Sequence, residues 1–323
     1  MLRVHLRQAM KPEHLAELRH SLDPEIELGT SAETYPGECE ILVDGEPSRE
    51  DLTRNPHLRA VIVPWVGVPL GTLDLMREFP HIELHNLPYN IAPTAEMAVA
   101  LLLAAAKRIV PYDRHFRHGY WSAPQPDVPG SVLLEGKIAL ILGYGRIGRR
   151  IGQACRGLGM RVVGVRRNPE PGQTEEAGRE DLSRLLSAAG VLVICLPHTH
   201  ETTGLIGVHE LALLPRDAVL VNVARGAIVD EEALYRALRE RTIYAAGLDV
   251  WYRYPTTAER ATDRPVAPSA FPFHELDNVV MSPHRAGWSE EKEPARIREL
   301  AKLLNAAARG EPMPHRVDPV RGY

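Results

Sequence analysis

A chain of 323 residues exceeds what one ordinary core encloses, so two domains are expected. Its 44% hydrophobic and 25% charged residues match a soluble globular protein, and a net charge of −4 excludes the basic footprint of a nucleic-acid binder. Cys39, Cys155 and Cys195 stand far apart with no C-x-x-C pair, which argues against a disulfide framework or a zinc site. The first eleven residues scatter their charge, and the apolar run over 97–106 is too short for a bilayer, so a cytoplasmic protein is expected.

In chain order, the first ninety residues read as a small α/β unit. Arg3–Leu6, Ile26–Leu28, Glu40–Val43 and Leu58–Val63 are strand-like. Pro12–Leu22 is helical, and Ser48–Thr53 is a short helix with Ser48 as N-cap. The last strand runs into Trp65-Val66-Gly67-Val68, which reads either as a loop whose backbone N–H groups meet an anion at the sheet's carboxyl edge or as a tight turn with a buried Trp. Thr94–Val110 is the strongest helix, apolar nearly all round, with Thr94 as its N-cap. The Pro-rich stretch from Pro111 to Pro129 reads as a long irregular excursion and a dimer contact.

Lys137–Leu142 is an apolar strand ending at Gly143-x-Gly145-x-x-Gly148, and Arg149–Leu158 is helix-like. A strand, G-x-G-x-x-G and a helix in that order is the context of a dinucleotide-binding turn. The first glycine allows the tight turn, the second a close approach of the pyrophosphate, and the third close packing of helix on strand. Arg146 and Ile147, inside the turn, are expected beside the cofactor. Further strands follow at Arg161–Val165, Val191–Leu196, Ala218–Val223, Ala245–Val250 and Val279–Met281, with an amphipathic helix over Glu231–Arg241. The alternation predicts a doubly wound parallel sheet. Pro197, Thr202, Val223 and Ala224, at or beyond strand ends, are expected to line the cofactor.

Arg225, Asp249 and His284 fall at the ends of three such strands, which share one edge in a parallel sheet. Arg225 offers a planar fork for a carboxylate, and His284 titrates where a proton can be given and taken back. Asp249 suits either the nicotinamide amide or the charge of His284. Together they fit hydride reduction of a 2-keto acid. His198 and His200 form an H-x-H without a carboxylate or Cys partner in ligand spacing, so no metal is expected and the loop is placed near the adenine.

On these residues the chain resembles the D-isomer-specific 2-hydroxyacid dehydrogenases over nearly its whole length. The segments are TAEMAVALLLAAAKR (94–108), LEGKIALILGYGRIGRRIG (134–152), LPHTHETTGLIG (196–207), LPRDAVLVNVARGAIVDEEALYRAL (214–238), AAGLDVW (245–251) and NVVMSPHRAG (278–287). The resemblance implies an α/β protein: a Rossmann domain over 93–289, and a smaller flavodoxin-like substrate domain made of 1–92 with 290–323. It implies a homodimer acting on a small 2-keto acid of the glyoxylate or hydroxypyruvate type, with no membrane or nucleic-acid partner. It assigns Arg225 to the substrate carboxylate and carbonyl, His284 to general acid/base work, Asp249 to the nicotinamide side and Trp65, Val66 and Gly67 to substrate binding. Oxidation of another small anion, such as formate or phosphite, and a non-catalytic dinucleotide sensor are the alternatives.

The chain departs from the family in two places, at the acid/base site and at the cofactor. The family's glutamate, five residues beyond the Asp249 position and next to a proline, is here Tyr254, followed by Pro255. A tyrosine cannot raise the histidine pKa by charge, so a lower His284 pKa and a more acid optimum for reduction are expected. The stretch from Thr256 to Phe271 is also longer than the family usually has, and it reads as a surface loop, the alternative being that Glu259 or Asp263 folds over the site. At the cofactor, the second strand ends in Arg166-Arg167 rather than an acid, with Asn168 next, which favours the 2′-phosphate of NADP over NAD.

Overall fold

The computed structural model describes residues 1–30, 39–121, 130–168, 176–262 and 264–323; Asp263 and residues 122–129 of the Pro-rich stretch lie outside the described residues. The chain divides into two compact units. The first comprises Met1–Asn90, Pro197–His200 and Trp288–Tyr323. Its strands are β1 (Leu2–Leu6), β2 (Ile26–Thr30), β3 (Ile41–Val43), β4 (Ala60–Val63) and β5 (Glu83–Asn86). They lie in the order β2-β1-β3-β4-β5, all parallel, which is the flavodoxin-like order. Helices α1 (Pro12–Ser21), α2 (Arg49–Thr53) and α3 (Leu70–Arg77) connect them. Pro12 starts α1, where its missing N–H costs nothing. Ser48 caps α2 as expected: the Asp51 N–H donates to Ser48 Oγ, and Asp51 Oδ2 accepts from the Ser48 N–H at 2.8 Å. The helix Lys292–Ala308 packs Ile297, Leu300 and Leu304 onto Val4, Leu18 and Leu28.

The second unit comprises Ile91–Leu196 and Glu201–Gly287. It opens with α4 (Ile91–Ala106) and α5 (Ile109–Phe116), then β6 (Ile138–Leu142), α6 (Arg146–Gly157), β7 (Arg161–Val165), β8 (Glu176–Ala177) and α7 (Leu182–Leu186). After β9 (Ala189–Ile194) come α8 (Val208–Leu213), β10 (Val219–Asn222), α9 (Glu231–Arg239), β11 (Ala245–Leu248), α10 (Thr257–Ala261) and β12 (Val279–Met281). The seven parallel strands run β12-β11-β10-β9-β6-β7-β8, a doubly wound sheet whose order reverses between β6 and β9. Alternate residues feed opposite cores. Leu140, Leu142, Leu192 and Leu220 pack on one face, Ala139, Ile141, Val191 and Val219 on the other, where α4 lays Ala98, Leu101 and Leu102.

Three local readings change. Helix α4 begins at Ile91, so Thr94 is buried inside it rather than capping it. The excursion beginning at Pro111 starts with a helix: Arg108 takes a left-handed φ of 54°, and α5 holds Pro111 in its first turn, where proline is tolerated. The helix over Arg149–Leu158 starts three residues earlier, directly at the glycine turn.

Candidate active site

The glycine turn lies at the reversal of strand order. Gly143 adopts a φ of +95°, and a Cβ there would stand 2.6 Å from the Cys195 carbonyl oxygen on the adjoining strand end. Gly148 is packed as closely, its Cβ position 2.2 Å from the Gly143 carbonyl oxygen, which only glycine permits. Gly145 differs. It is the N-cap of α6, no side chain caps the helix, and nothing lies within 4 Å of where its Cβ would be. An open approach to uncapped helix N–H groups is what a pyrophosphate requires. Arg146 and Ile147 occupy the first turn of α6. The residues present therefore fit a dinucleotide.

Beside this turn, the Gly143 N–H donates to Val165 O at 3.0 Å and brings the end of β7, with Arg166 and Arg167, alongside. Arg166 Nη1 donates to Glu176 Oε2 at 3.2 Å, and Arg167 pairs with Glu201. Arg149, from α6, also reaches Glu176 Oε1 at 2.9 Å and lies over the Tyr144 ring. Sequence reasoning missed both Arg149 and Glu176, because nothing local marks two residues 27 apart as partners.

At the same carboxyl edge, Asn222, Leu248 and Met281 are in register on β10, β11 and β12. That register brings Arg225, Asp249 and His284 to one end of the sheet within the second unit. Asp249 is fully buried, and both its oxygens are engaged. Oδ1 accepts from Ser282 Oγ at 2.5 Å and the Arg285 N–H at 2.8 Å; Oδ2 accepts from the Ala286 N–H at 2.9 Å. The carboxylate thereby fixes the loop on which His284 holds a left-handed φ of 57°. Trp251, also unnoticed in the sequence, ties the parts together: its Nε1 donates to Ser282 O, its N–H to Tyr254 Oη, and its carbonyl oxygen would lie 2.3 Å from a Cβ on Gly226, next to Arg225.

Electrostatics follow from this crowding. Partial desolvation, and then the Arg225 cation, lower the His284 pKa; Asp249 pulls it the other way. Burial also lowers the Arg225 pKa, opposed by Tyr254, but a guanidinium remains a cation. Burial raises the Tyr254 pKa, so its phenol is neutral and can donate. Arg225 Nη1 donates to Ala224 O at 2.7 Å, which directs the side chain; Val223 and Ala224 are buried beneath it in the chain's turn after β10. A fixed guanidinium beside a histidine of lowered pKa can hold a carboxylate and move a proton.

The remaining expected residues are placed as follows. Thr202 follows β9 in the second unit, whereas Pro197 belongs with the first. There His200 Nε2 meets Asp74 at 3.0 Å, and no group of three or more metal-ligating side chains occurs among the described residues. Trp65, Val66 and Gly67 also lie in the first unit, after β4; the Trp65 ring packs where a Cβ on Gly45 would be, and the Val66 carbonyl accepts from Asn86 Nδ2 at 2.6 Å. Glu259 is engaged locally, accepting from Thr256 and Arg253 at the start of α10, and Tyr252 stacks on Phe273.

A family model described as the NAD binding domain of D-isomer specific 2-hydroxyacid dehydrogenases matches residues 99–286. A glyoxylate reductase from Thermococcus litoralis is 36% identical over 285 residues, 86% of this chain and 82% of that protein. Another from Aeropyrum pernix is 39% identical over 274 residues, 83% of this chain and 78% of that protein. Among solved structures, a D-isomer specific 2-hydroxyacid dehydrogenase from Xanthobacter autotrophicus Py2, in complex with NADPH and MES, superimposes with a TM-score of 0.80 at 27% identity, covering 99% of each chain.

Proposed function

The chain belongs to the D-isomer-specific 2-hydroxyacid dehydrogenase family and is an NAD(P)-dependent oxidoreductase, and from that premise we propose a reductase of glyoxylate or hydroxypyruvate type 2-keto acids that prefers NADPH. The observation that carries the reading is the convergence of Arg225 and His284 on the sheet edge that also bears the open Gly145 turn. When bound, the reduced nicotinamide supplies a hydride. Arg225 grips the substrate carboxylate through two parallel hydrogen bonds and polarises the carbonyl. His284, as imidazolium, gives its proton to the carbonyl oxygen and becomes neutral; in the reverse direction it takes the proton back. Asp249 holds the His284 loop, and Tyr254 supplies a neutral wall where a carboxylate would raise the histidine pKa. Arg146, Ile147, Thr202, Val223 and Ala224, all in the second unit, border the cofactor in this reading.

NADPH is preferred because Arg166 and Arg167 follow β7 directly, with Arg149 beside them. We also place the enzyme in the cytoplasm, where its three free cysteines stay reduced, and as a homodimer. Exposed Ile109, Phe116, Tyr120 and Trp121, on and just after α5, give an apolar surface suited to a second copy. A mass of one chain by light scattering in solution would reject the dimer.

The test is oxidation of NADPH and NADH, followed by absorbance, against a panel of 2-keto acids. Rapid loss of NADPH with glyoxylate or hydroxypyruvate is expected. No turnover across the panel, by protein that binds NADPH, overturns the substrate reading.

A further inference from the structure

We propose that Glu176 is the positioning residue for cofactor choice: its carboxylate clamps Arg149 and Arg166 side by side so that the two guanidiniums together receive the 2′-phosphate. The inference rests on the NADPH preference proposed above. Four observations support it. The Glu176 side chain is only 1% exposed, whereas Arg149 and Arg166 are 44% and 30% exposed, so the acid lies beneath two cations that reach solvent. One carboxylate holds both cations, with Arg149 Nη2 on Oε1 at 2.9 Å and Arg166 Nη1 on Oε2 at 3.2 Å and on Oε1 at 3.4 Å. Glu176 has little freedom, because β8 is held to β7 with Gly164 opposite Glu176 and the Arg166 N–H on Ala177 O at 3.0 Å. Arg149 is fixed from a second side by the Tyr144 ring, 5.6 Å from its guanidinium carbon, and that ring fills the space a Cβ on Gly164 would need.

An acid beside a phosphate site is costly by charge alone. Glu176 sets a negative charge against Arg149 and Arg166, and Glu201 another against Arg167, which lowers the positive charge offered to a dianionic group. If charge alone governed binding, removing Glu176 would tighten NADPH. If Glu176 governs geometry, its removal takes a shared anchor from two long side chains, the ligand must supply part of their ordering, and NADPH loosens. The two accounts predict opposite signs. An acid with 1% exposure cannot serve as the ribose acceptor of an NAD site, so its position favours support over contact.

The experiment measures dissociation constants of NADPH and NADH by nicotinamide fluorescence for the wild type, R166A, E176A and E176Q, with thermal midpoints. E176A and E176Q are expected to weaken NADPH roughly 10-fold or more, the scale of one lost hydrogen bond to a charged group, and to leave NADH within a factor of two to three. Equal weakening of both cofactors, or tighter NADPH binding, overturns the positioning role. Should E176A fold poorly, E176Q and the NADPH/NADH ratio still decide. A wild type that binds NADH as well as NADPH, unaltered by R166A, overturns the cofactor reading itself and the clamp with it. A normal wild type and R166A alongside an unchanged E176A and E176Q overturn only the clamp.

Discussion

The ring of Tyr254 lies 5.3 Å from the imidazole of His284, tilted by 53°, and no hydrogen bond joins the two. The Tyr254 oxygen is instead turned to the backbone N–H of Trp251 at 3.0 Å. His284 therefore titrates with an aromatic neighbour and the Arg225 cation, and with Asp249 as the acid that opposes them.

That relationship fixes the sign of a pH effect. In the proposed reaction the His284 imidazolium gives the proton, so activity should be full below the His284 pKa and fall as pH rises through it. With the pKa lowered from its ordinary 6.5, the fall is expected on the acid side of that value. Tyr254→Glu places a carboxylate by the ring and moves the falling limb to higher pH. His284→Ala should cost roughly 10²–10⁴ in kcat. A wild-type profile flat well above neutrality, or near-normal turnover by His284→Ala, contradicts the assignment.

Arg225→Lys keeps the charge and loses the fork. Losing one of two hydrogen bonds to a carboxylate is worth about 1.5–3 kcal/mol, so kcat/KM for the keto acid should drop roughly 10- to 100-fold while NADPH binding holds. Unchanged kcat/KM would remove Arg225 from substrate binding.

Asp249→Ala leaves the hydroxyl of Ser282 and the N–H groups of Arg285 and Ala286 without their acceptor. A destabilisation of at least about 2–3 kcal/mol is expected in urea unfolding, together with lost turnover as the His284 loop relaxes. Full stability with lost turnover would instead mean that Asp249 acts on the reacting groups alone.

The glycines of one motif should separate by phenotype. Gly145→Ala meets open space, so the fold should be intact and NADPH binding weakened. Gly143→Ala meets the Cys195 carbonyl oxygen and a φ of +95°, so the protein itself should be destabilised. Equal melting temperatures for the two variants would refute the packing argument.

What the sequence determined by itself was everything carried by local period and strand ends. Apolar runs such as Lys137–Leu142 and Val191–Leu196 read as strands buried on both faces and fall on β6 and β9 within a few residues, and the glycine spacing after the first is a turn-and-approach device. Arg225, Asp249 and His284 were legible because parallel strands place their carboxyl ends together whatever joins them. Helix α3 and strand β5 escaped notice: α3 starts without a capping side chain, and β5 carries Glu83, His85 and Asn86 in four residues. Thr94 looked like a cap because its preference for caps is local, whereas burial against the sheet decided where α4 begins. Only the tertiary structure brought Glu176 between Arg149 and Arg166, turned Asp249 into the anchor of the His284 loop and tied Trp251 to Ser282 in that loop. Those are contacts between residues 10 to 37 apart in sequence, set by strand register and helix packing, and no periodicity in a single chain encodes them.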